Sequence, residues 1–381
     1  MKKVLILGST GSIGTQALEV ISASPDLTAV GLAAGRGWEQ TVAQAREHGV
    51  EVIALADRDA AARAGECWDG RVLPGEEGVR ELIGAVEPDL VLNGIVGAAG
   101  LASTVVALTA GIDVALANKE SLVLGGELVM ALAEATGARL LPVDSEHSAL
   151  HQLIGAEAPG TVERLVVTAS GGPFRGREDL SGVSVADALD HPTWKMGGRI
   201  TVDSATLMNK GFEVIEAHHL FGVPFERIEV VVHPQSLVHS LIHLIDGSTL
   251  AHLGYPDMRV PISYALHFPE RAPVDLPLLD LAGVGALTFE APDPGTFACL
   301  RLALEAGEAG GTAPCVLNAA DEVAVAAFLD GGIPFTGIPA VIGQLLEEMP
   351  ARPVGHFDDL FAADAEARRR SKDLVRGLTP A

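Results

Sequence analysis

Two acids two positions apart, Asp144 and Glu146, stand in the stretch Val143-Asp144-Ser145-Glu146-His147, and a third, Glu213, ends Met208-Asn209-Lys210-Gly211-Phe212-Glu213. The apolar run 138–142 before the pair predicts the last strand of a parallel sheet. In extended backbone, residues two apart face the same way, so the Asp144 and Glu146 carboxylates are expected to share one space. Like charges held that close repel unless a cation lies between them or one keeps its proton. With Glu213 added, an all-oxygen ligand set suits Mg²⁺ or Mn²⁺ better than zinc. A bare D-x-E pair at a strand end is more often simply solvated, and it is the surroundings that favour a metal.

A second chemistry lies downstream. The strand Arg164–Thr168 breaks into Ala169-Ser170-Gly171-Gly172-Pro173-Phe174, where a hydroxyl and successive amides suit an anion, although such turns also occur without ligands. Further on, Ser204 is expected to open a helix on which Asn209, Lys210 and Glu213 follow, with Lys210 and Glu213 neighbours on one face. Hydroxyl, amide and ammonium together suit a phosphate monoester. A Lys–Glu surface pair is the plain alternative, and it leaves Ser204 and Asn209 unexplained. Between these stretches, residues 190–199 (DHPTWKMGGR) read as a mobile lid whose Trp194 and Met196 exclude water on closing. Lys195 alters the charge of that lid without changing the chemistry. His233, His239 and His243 are read as structural, since on one strand the last two lie roughly 13 Å apart, too far to share an ion.

These groups need a frame. Strands expected at Lys3–Leu7, Thr28–Ala33, Val52–Ala54, Leu90–Asn93, Asp113–Ala115 and Arg139–Pro142 alternate with alanine-rich helices, which predicts an α/β, Rossmann-like, doubly wound parallel sheet over residues 1–145. The first turn, Gly8-Ser9-Thr10-Gly11-Ser12-Ile13-Gly14, suits a pyrophosphate at a helix start. After the second strand comes Ala33-Ala34-Gly35-Arg36-Gly37, an arginine where NAD-preferring folds carry an acid, which points to the 2′-phosphate of NADPH. Gly94, Gly97 and Gly100 either let a cofactor lie against backbone or serve helix packing. Asn118 to Ser121 offer polar groups after another strand, with helix capping the alternative role for Ser121.

Residues 146–275 are expected to form a central α+β catalytic domain. Its strands at 229–233 and 237–243 expose edges that predict a homodimer surface. Residues 276–293 read as a linker, and 294–381 as a C-terminal α-helical bundle that supports the site. The cluster Arg368–Arg370 reads as a solvated helix face.

At 381 residues, several domains are expected. The net charge of −24 argues against nucleic acid and anionic membrane as partners. Three scattered cysteines predict reduced thiols in a cytoplasm. No stretch is apolar enough to cross a bilayer, and the four-residue run after Met1-Lys2-Lys3 fits a strand rather than a signal peptide.

With those residues set out, the chain closely resembles the 1-deoxy-D-xylulose 5-phosphate reductoisomerase family along essentially its whole length. The likeness rests on GSTGSIG at 8–14, ANKES at 117–121, VDSEH at 143–147, SGGPF at 170–174, HPTW at 191–194 and MNKGFE at 208–213. The resemblance implies conversion of 1-deoxy-D-xylulose 5-phosphate to 2-C-methyl-D-erythritol 4-phosphate with NADPH and Mg²⁺, Mn²⁺ or Co²⁺, in non-mevalonate isoprenoid synthesis. It implies that Asp144, Glu146 and Glu213 hold the metal, and that Lys119, Ser145, Ser170, His191, Ser204, Asn209 and Lys210 contact substrate beneath Trp194 and Met196. It implies further that Thr10, Gly11, Ser12, Ile13, Gly35, Arg36, Gly37, Asn118, Glu120 and Gly197 line the NADPH, and that Lys119 and Glu146 move protons. The rivals are a simple two-domain NADPH dehydrogenase of a small polar substrate and a non-catalytic NADPH sensor. Neither accounts for three acids beside a phosphate cradle.

Overall fold

The computed structural model describes residues 1–194 and 196–378, so Lys195 lies outside it. Strand and helix alternate through β1 (Lys2–Leu7), α1 (Ser12–Ala23), β2 (Leu27–Ala34), α2 (Trp38–His48), β3 (Val52–Leu55), α3 (Arg58–Cys67), β4 (Arg71–Pro74), α4 (Gly75–Val86), β5 (Leu90–Asn93), α5 (Ala99–Thr109), β6 (Asp113–Leu116), α6 (Glu120–Thr136) and β7 (Leu140–Pro142). All pairs are parallel, in the order β4-β3-β2-β1-β5-β6-β7. The inner strands β1 and β5 carry unbroken apolar runs because helices cover both faces. The order reverses between β1 and β5, which is where such sheets bind their ligands. The edge strand β4 has no counterpart among the expected strands. Its Arg-Val-Leu-Pro is short and mostly exposed, and Pro74 is tolerated only because the strand lies at an edge.

Next come α7 (Ser145–Gly155), β8 (Val162–Ala169), α8 (Val185–Leu189), α9 (Gly198–Ala205), α10 (Met208–Phe221), β9 (Ile228–Val232), β10 (Val238–Leu244), β11 (Thr249–Leu253), α11 (Arg259–His267), α12 (Leu281–Val284), α13 (Ala298–Ala309), α14 (Ala313–Leu329), α15 (Gly337–Glu348) and α16 (Phe357–Leu378). A mixed sheet runs β11-β10-β8-β9, with only β8 and β9 parallel. The expectation that 237–243 has an exposed edge is corrected here: β10 is interior, paired on both sides, because the half-exposed β11 returns beyond the Asp246-Gly247 turn to cover it.

The contiguous division at 145, 275 and 293 is not how the chain packs. One compact unit gathers Met1–Ser121, Val129–Ser148 and Asp257–Pro277; the other gathers Leu122–Leu128, Ala149–Pro256 and the chain from Leu278 onward. The reason is a stripe on α11. Ile262, Ala265 and Leu266, spaced for one helix face, are fully buried in the same core as Val4, Ile6 and Leu32. Lys2 Nζ donates to the Leu266 carbonyl at 2.8 Å and fixes the return. In the second unit Leu150, Leu165, Val167, Val214 and Ile242 form a core between the mixed sheet and its helices. There α10 packs on α13 and α9 on α14, so the C-terminal helices are part of this unit rather than a separate bundle. The segment read as a linker carries α12, and its Glu290 pairs with Val232 on β9.

Candidate active site

In the first unit the glycine-rich turn is built by close approach. Gly8 has φ +85°, and a Cβ there would stand 2.6 Å from the Gly94 carbonyl oxygen. A Cβ on Gly14 would stand 2.4 Å from the Gly8 oxygen, so only glycine lets α1 begin against β1. Gly11 differs: its Cβ would meet nothing nearer than 3.3 Å. It is the N-cap of α1, and no side chain covers the first amides, which leaves Ser12 and Ile13 at a bare helix start. Gly37 lies against Thr10, bringing the turn of Gly35-Arg36-Gly37 beside the first turn. The Arg36 side chain is 89% exposed and its Nε stands 3.1 Å from Asp57 Oδ2. Asp57 in turn caps α3 by accepting from the Ala60 amide at 2.9 Å.

Asn118 and Glu120, expected to line the NADPH, have a structural duty in the fold. Both are buried and serve as fasteners. Asn118 Nδ2 donates to the Ile95 and Gly97 carbonyls at 2.6 and 2.9 Å, and Glu120 accepts from the Gly97 amide at 3.0 Å. Their side chains hold the glycine loop after β5 in shape, so any contact with cofactor is made beside that duty.

Asp144 follows β7, and the reason it meets Glu146 is not strand alternation. Asp144 opens α7: its carbonyl accepts from the Ser148 amide at 2.8 Å, and its Oδ1 accepts from the Glu146 amide at 3.3 Å. Glu146 therefore sits in the first helical turn, which wraps its carboxylate back to within 4.8 Å of that of Asp144. The expectation of extended backbone is corrected; the helix start brings the two carboxylates together, and the positive end of the helix favours both negative charges. Lys119 Nζ stands 2.5 Å from Asp144 Oδ2, and His147 Nδ1 3.5 Å from Oδ1. Burial alone pushes the Asp144 carboxyl up, but the Lys119 ammonium and the His147 ring outweigh it and hold the acid well below the usual carboxylate range. Asp144 is an anion at neutral pH. Ser145 donates to Glu146.

The remaining expected site residues lie in the second unit. Ser170 ends β8 in a turn where Gly171 and Gly172 have φ +86° and +66°. A Cβ on Gly172 would stand 2.8 Å from the Ser204 carbonyl oxygen, so this turn rests on the last turn of α9. Ser204 thus closes a helix rather than opening one. Leu207, at φ +61°, turns the chain sharply into α10. A left-handed leucine has no signature in the order of residues. The described part of the expected lid is irregular only to Gly197; Gly198 and Arg199 already belong to α9. His191, Trp194 and Met196 are half-buried in that loop. On α10, Lys210 and Glu213 are buried and paired, not a surface pair, and Asn209 Nδ2 donates to Glu213 Oε1 at 2.6 Å. His233 is structural as expected, with Nδ1 at the Thr288 carbonyl and Nε2 accepting from the Leu237 amide.

Arg368 corrects another expectation. It is not a solvated face: its guanidinium is mostly covered and holds Glu322 at 2.8 Å and Asp364 at 2.7 Å.

Family models for 1-deoxy-D-xylulose 5-phosphate reductoisomerase match residues 4–126, for its C-terminal domain residues 140–221, and for the DXP reductoisomerase C-terminal domain residues 253–370. The 1-deoxy-D-xylulose 5-phosphate reductoisomerase of Pelotomaculum thermopropionicum is 49% identical over 385 residues, covering 99% of this chain and all of its own. The chain belongs to the 1-deoxy-D-xylulose 5-phosphate reductoisomerase family. Among solved reductoisomerases, that of Zymomonas mobilis in complex with NADPH superposes with a TM-score of 0.90 at 38% identity, over 99% of this chain and 100% of the other. Another, bound to NADPH, fosmidomycin and magnesium, gives 0.92 at 38%, over 99% and 98%.

The side chains fit what those reductoisomerases bind. The bare N-terminus of α1, below a glycine turn that admits no Cβ at Gly8 or Gly14, suits a dinucleotide pyrophosphate. An ionised Asp144 with Glu146 beside it is a hard-oxygen pair that needs positive charge. Lys119 supplies one such charge and is buried beside the acids, a coupling the spacing of ANKES and VDSEH did not reveal.

Proposed function

We propose that Asp144, Glu146 and Glu213 together hold a divalent ion, and that the chain catalyses the NADPH- and metal-dependent isomerisation and reduction of 1-deoxy-D-xylulose 5-phosphate to 2-C-methyl-D-erythritol 4-phosphate, a step toward isoprenoids. The observation that carries this is the ionised Asp144 with Glu146 beside it, after the last strand of a parallel sheet, with Lys119 2.5 Å from Asp144. When bound, the ion, Mg²⁺ or Mn²⁺ with Co²⁺ as a further choice, lends Lewis acidity to the substrate oxygens, and NADPH supplies the hydride.

This chain's side chains do the rest. Lys119 and Glu146 hold or move protons at the substrate's reacting oxygens. Ser170, Ser204, Asn209 and Lys210 bind the phosphate, with Ser145 nearer the carbon chain. His191 orients Ser170, while Trp194 and Met196 exclude water. Thr10, Gly11, Ser12 and Ile13 receive the pyrophosphate, Arg36 the 2′-phosphate, and Gly35, Gly37, Asn118, Glu120 and Gly197 shape the remainder of the NADPH groove. Binding energy from the phosphate, remote from the bonds that change, closes the lid.

The protein acts as a cytoplasmic homodimer in this reading. The free edge of β11, flanked by exposed Ile245 and Leu253, supports self-association, and three free cysteines support a reducing compartment. Among the described residues no helix is long and apolar enough to cross a membrane. The deciding experiment is NADPH oxidation by the purified protein with 1-deoxy-D-xylulose 5-phosphate. Activity is expected to vanish with a chelator and to return with excess Mg²⁺ or Mn²⁺. Metal-independent turnover would favour a simple dehydrogenase; tight NADPH binding without turnover would favour a sensor.

A further inference from the structure

Beyond the groups that touch ligand, the second unit contains a buried ionic cluster outside the six motifs. Arg199, in the first turn of α9, has a side chain 17% exposed. Its Nη2 donates to Asn318 Oδ1 at 3.0 Å and lies 3.4 Å from Asp321 Oδ2; its Nη1 lies 3.2 Å from Glu322 Oε1. On its own helix, Nε stands 3.6 Å from Asp203. All three distal partners belong to α14. Behind them, Arg368 of α16 holds the other Glu322 oxygen at 2.8 Å and Asp364 at 2.7 Å. Cys299 on α13 faces Asp203 and Asp321 from a further side.

The cluster has four carboxylates and two guanidiniums, and Asp321 is wholly buried. Burial pushes its carboxyl up to about 6 against the pull of Arg199. Without the guanidinium, acids on α9 and α14 would face one another largely out of water, and a buried charge left uncompensated is strongly destabilising. Arg199 thus ties α9 to α14. That matters because α9 is only eight residues long and has no side-chain cap at its start. Its N-cap, Gly197, is the root of the loop bearing His191, Trp194 and Met196, and Ser204, about 10.5 Å further along its axis, supports the Ser170-Gly171-Gly172 turn.

We propose that Arg199 is a positioning residue for the phosphate end of the site: clamped by Asn318, Asp321 and Glu322, it sets the placement of α9 and through it both Ser204 and the base of the lid loop. A lysine keeps the charge but presents one nitrogen where three partners need a planar fork. The proposal rests on the assignment of Ser170, Ser204 and the loop to the substrate phosphate.

The test compares Arg199→Met, Arg199→Lys and Glu322→Gln in the full chain with Mg²⁺, NADPH and 1-deoxy-D-xylulose 5-phosphate. For Arg199→Met, KM for the sugar phosphate is expected to rise on the order of ten- to a hundredfold, with kcat and NADPH affinity changed far less. Arg199→Lys and Glu322→Gln should each give a smaller rise of the same kind, the lysine recovering part of what methionine loses. A cluster that merely stabilises the fold would lower the melting temperature and leave the KM of the folded enzyme at the wild-type value in all variants that fold. That result would overturn the proposal, and should Arg199→Met not fold, Arg199→Lys and Glu322→Gln decide it. Failure of the wild-type protein to turn over would instead sink the functional assignment beneath it.

Discussion

The His191 ring donates through Nε2 to the Ser170 hydroxyl, 3.0 Å away, because its Nδ1 already accepts from the Thr193 and Trp194 amides at 3.1 and 2.9 Å. Two backbone donors leave Nδ1 no room for a proton, so the tautomer is set and the ring is neutral. Ser170 Oγ, which also accepts from the Gly172 amide at 3.3 Å, keeps its own hydrogen for an anion.

Burial lowers the His191 pKa. A depressed folded pKa means that the arrangement is intact above the ordinary imidazole range and is lost as pH falls through the lowered value. Protonation then turns Nδ1 from acceptor to donor against two amides. KM for the sugar phosphate is expected to climb on the acid side in wild type and to lack that added climb in His191→Gln, since substrate ionisation is common to both. Identical acid limbs would assign the effect to another group.

The glycines of the first turn are expected to separate stability from cofactor binding. Gly14→Ala drives a methyl to 2.4 Å from the Gly8 carbonyl oxygen, against backbone that has little freedom to move, and should cost about 1–3 kcal/mol of stability. Gly11→Ala meets only one contact, at 3.3 Å, and should leave the melting temperature nearly unchanged while weakening NADPH binding, because the methyl stands at the bare helix start. Thermal melts with and without NADPH read both effects. Equal NADPH-induced stabilisation of Gly11→Ala and wild type would contradict the pyrophosphate assignment.

Glu213 is buried and already paired with Lys210 and Asn209. Glu213→Gln should abolish turnover with little change in NADPH affinity. Lys210→Ala should raise KM for the phosphorylated substrate and also destabilise the metal-free protein, since it takes the ammonium from a buried carboxylate. Steady-state kinetics and denaturant unfolding check the two halves separately, and near-normal turnover of Glu213→Gln would remove it from the ligand set.

Arg36 is exposed beside Asp57 and faces water on its remaining side. Its removal should cost little stability. A charge-assisted contact to a 2′-phosphate implies that Arg36→Ala weakens NADPH by about 10- to 100-fold while leaving NADH nearly unaffected. The ratio of kcat/KM for the two cofactors measures this, and an unchanged ratio would place the 2′-phosphate elsewhere.

How far the chain was legible depends on where its signals lie. The parallel sheet was, because β1, β2, β5 and β6 are near-continuous apolar runs that admit few other readings. β4 and β11 were not, since their residues are largely exposed and owe their strand form to a neighbour's edge. The acids, the Ser170 turn and the Asn209-Lys210-Glu213 cluster could be named from residue types and spacing. That Asp144 caps a helix, that Ser204 ends one, and that Arg199 and Arg368 are half-buried among carboxylates could not.

Local order therefore determined which residues were available: glycines where backbone must approach backbone, an arginine in place of an acid after β2, acids at the end of β7. Only the tertiary structure decided their state. Lys119 and Asp144 are 25 positions apart yet share a buried ion pair, and the charge of Asp144 depends on that neighbour and on His147. Likewise α11, nearly 260 residues from β1, completes the first core because three of its side chains fit there. Electrostatic energy and packing act through space and desolvation, and neither distance nor burial is written in the order of residues along the chain.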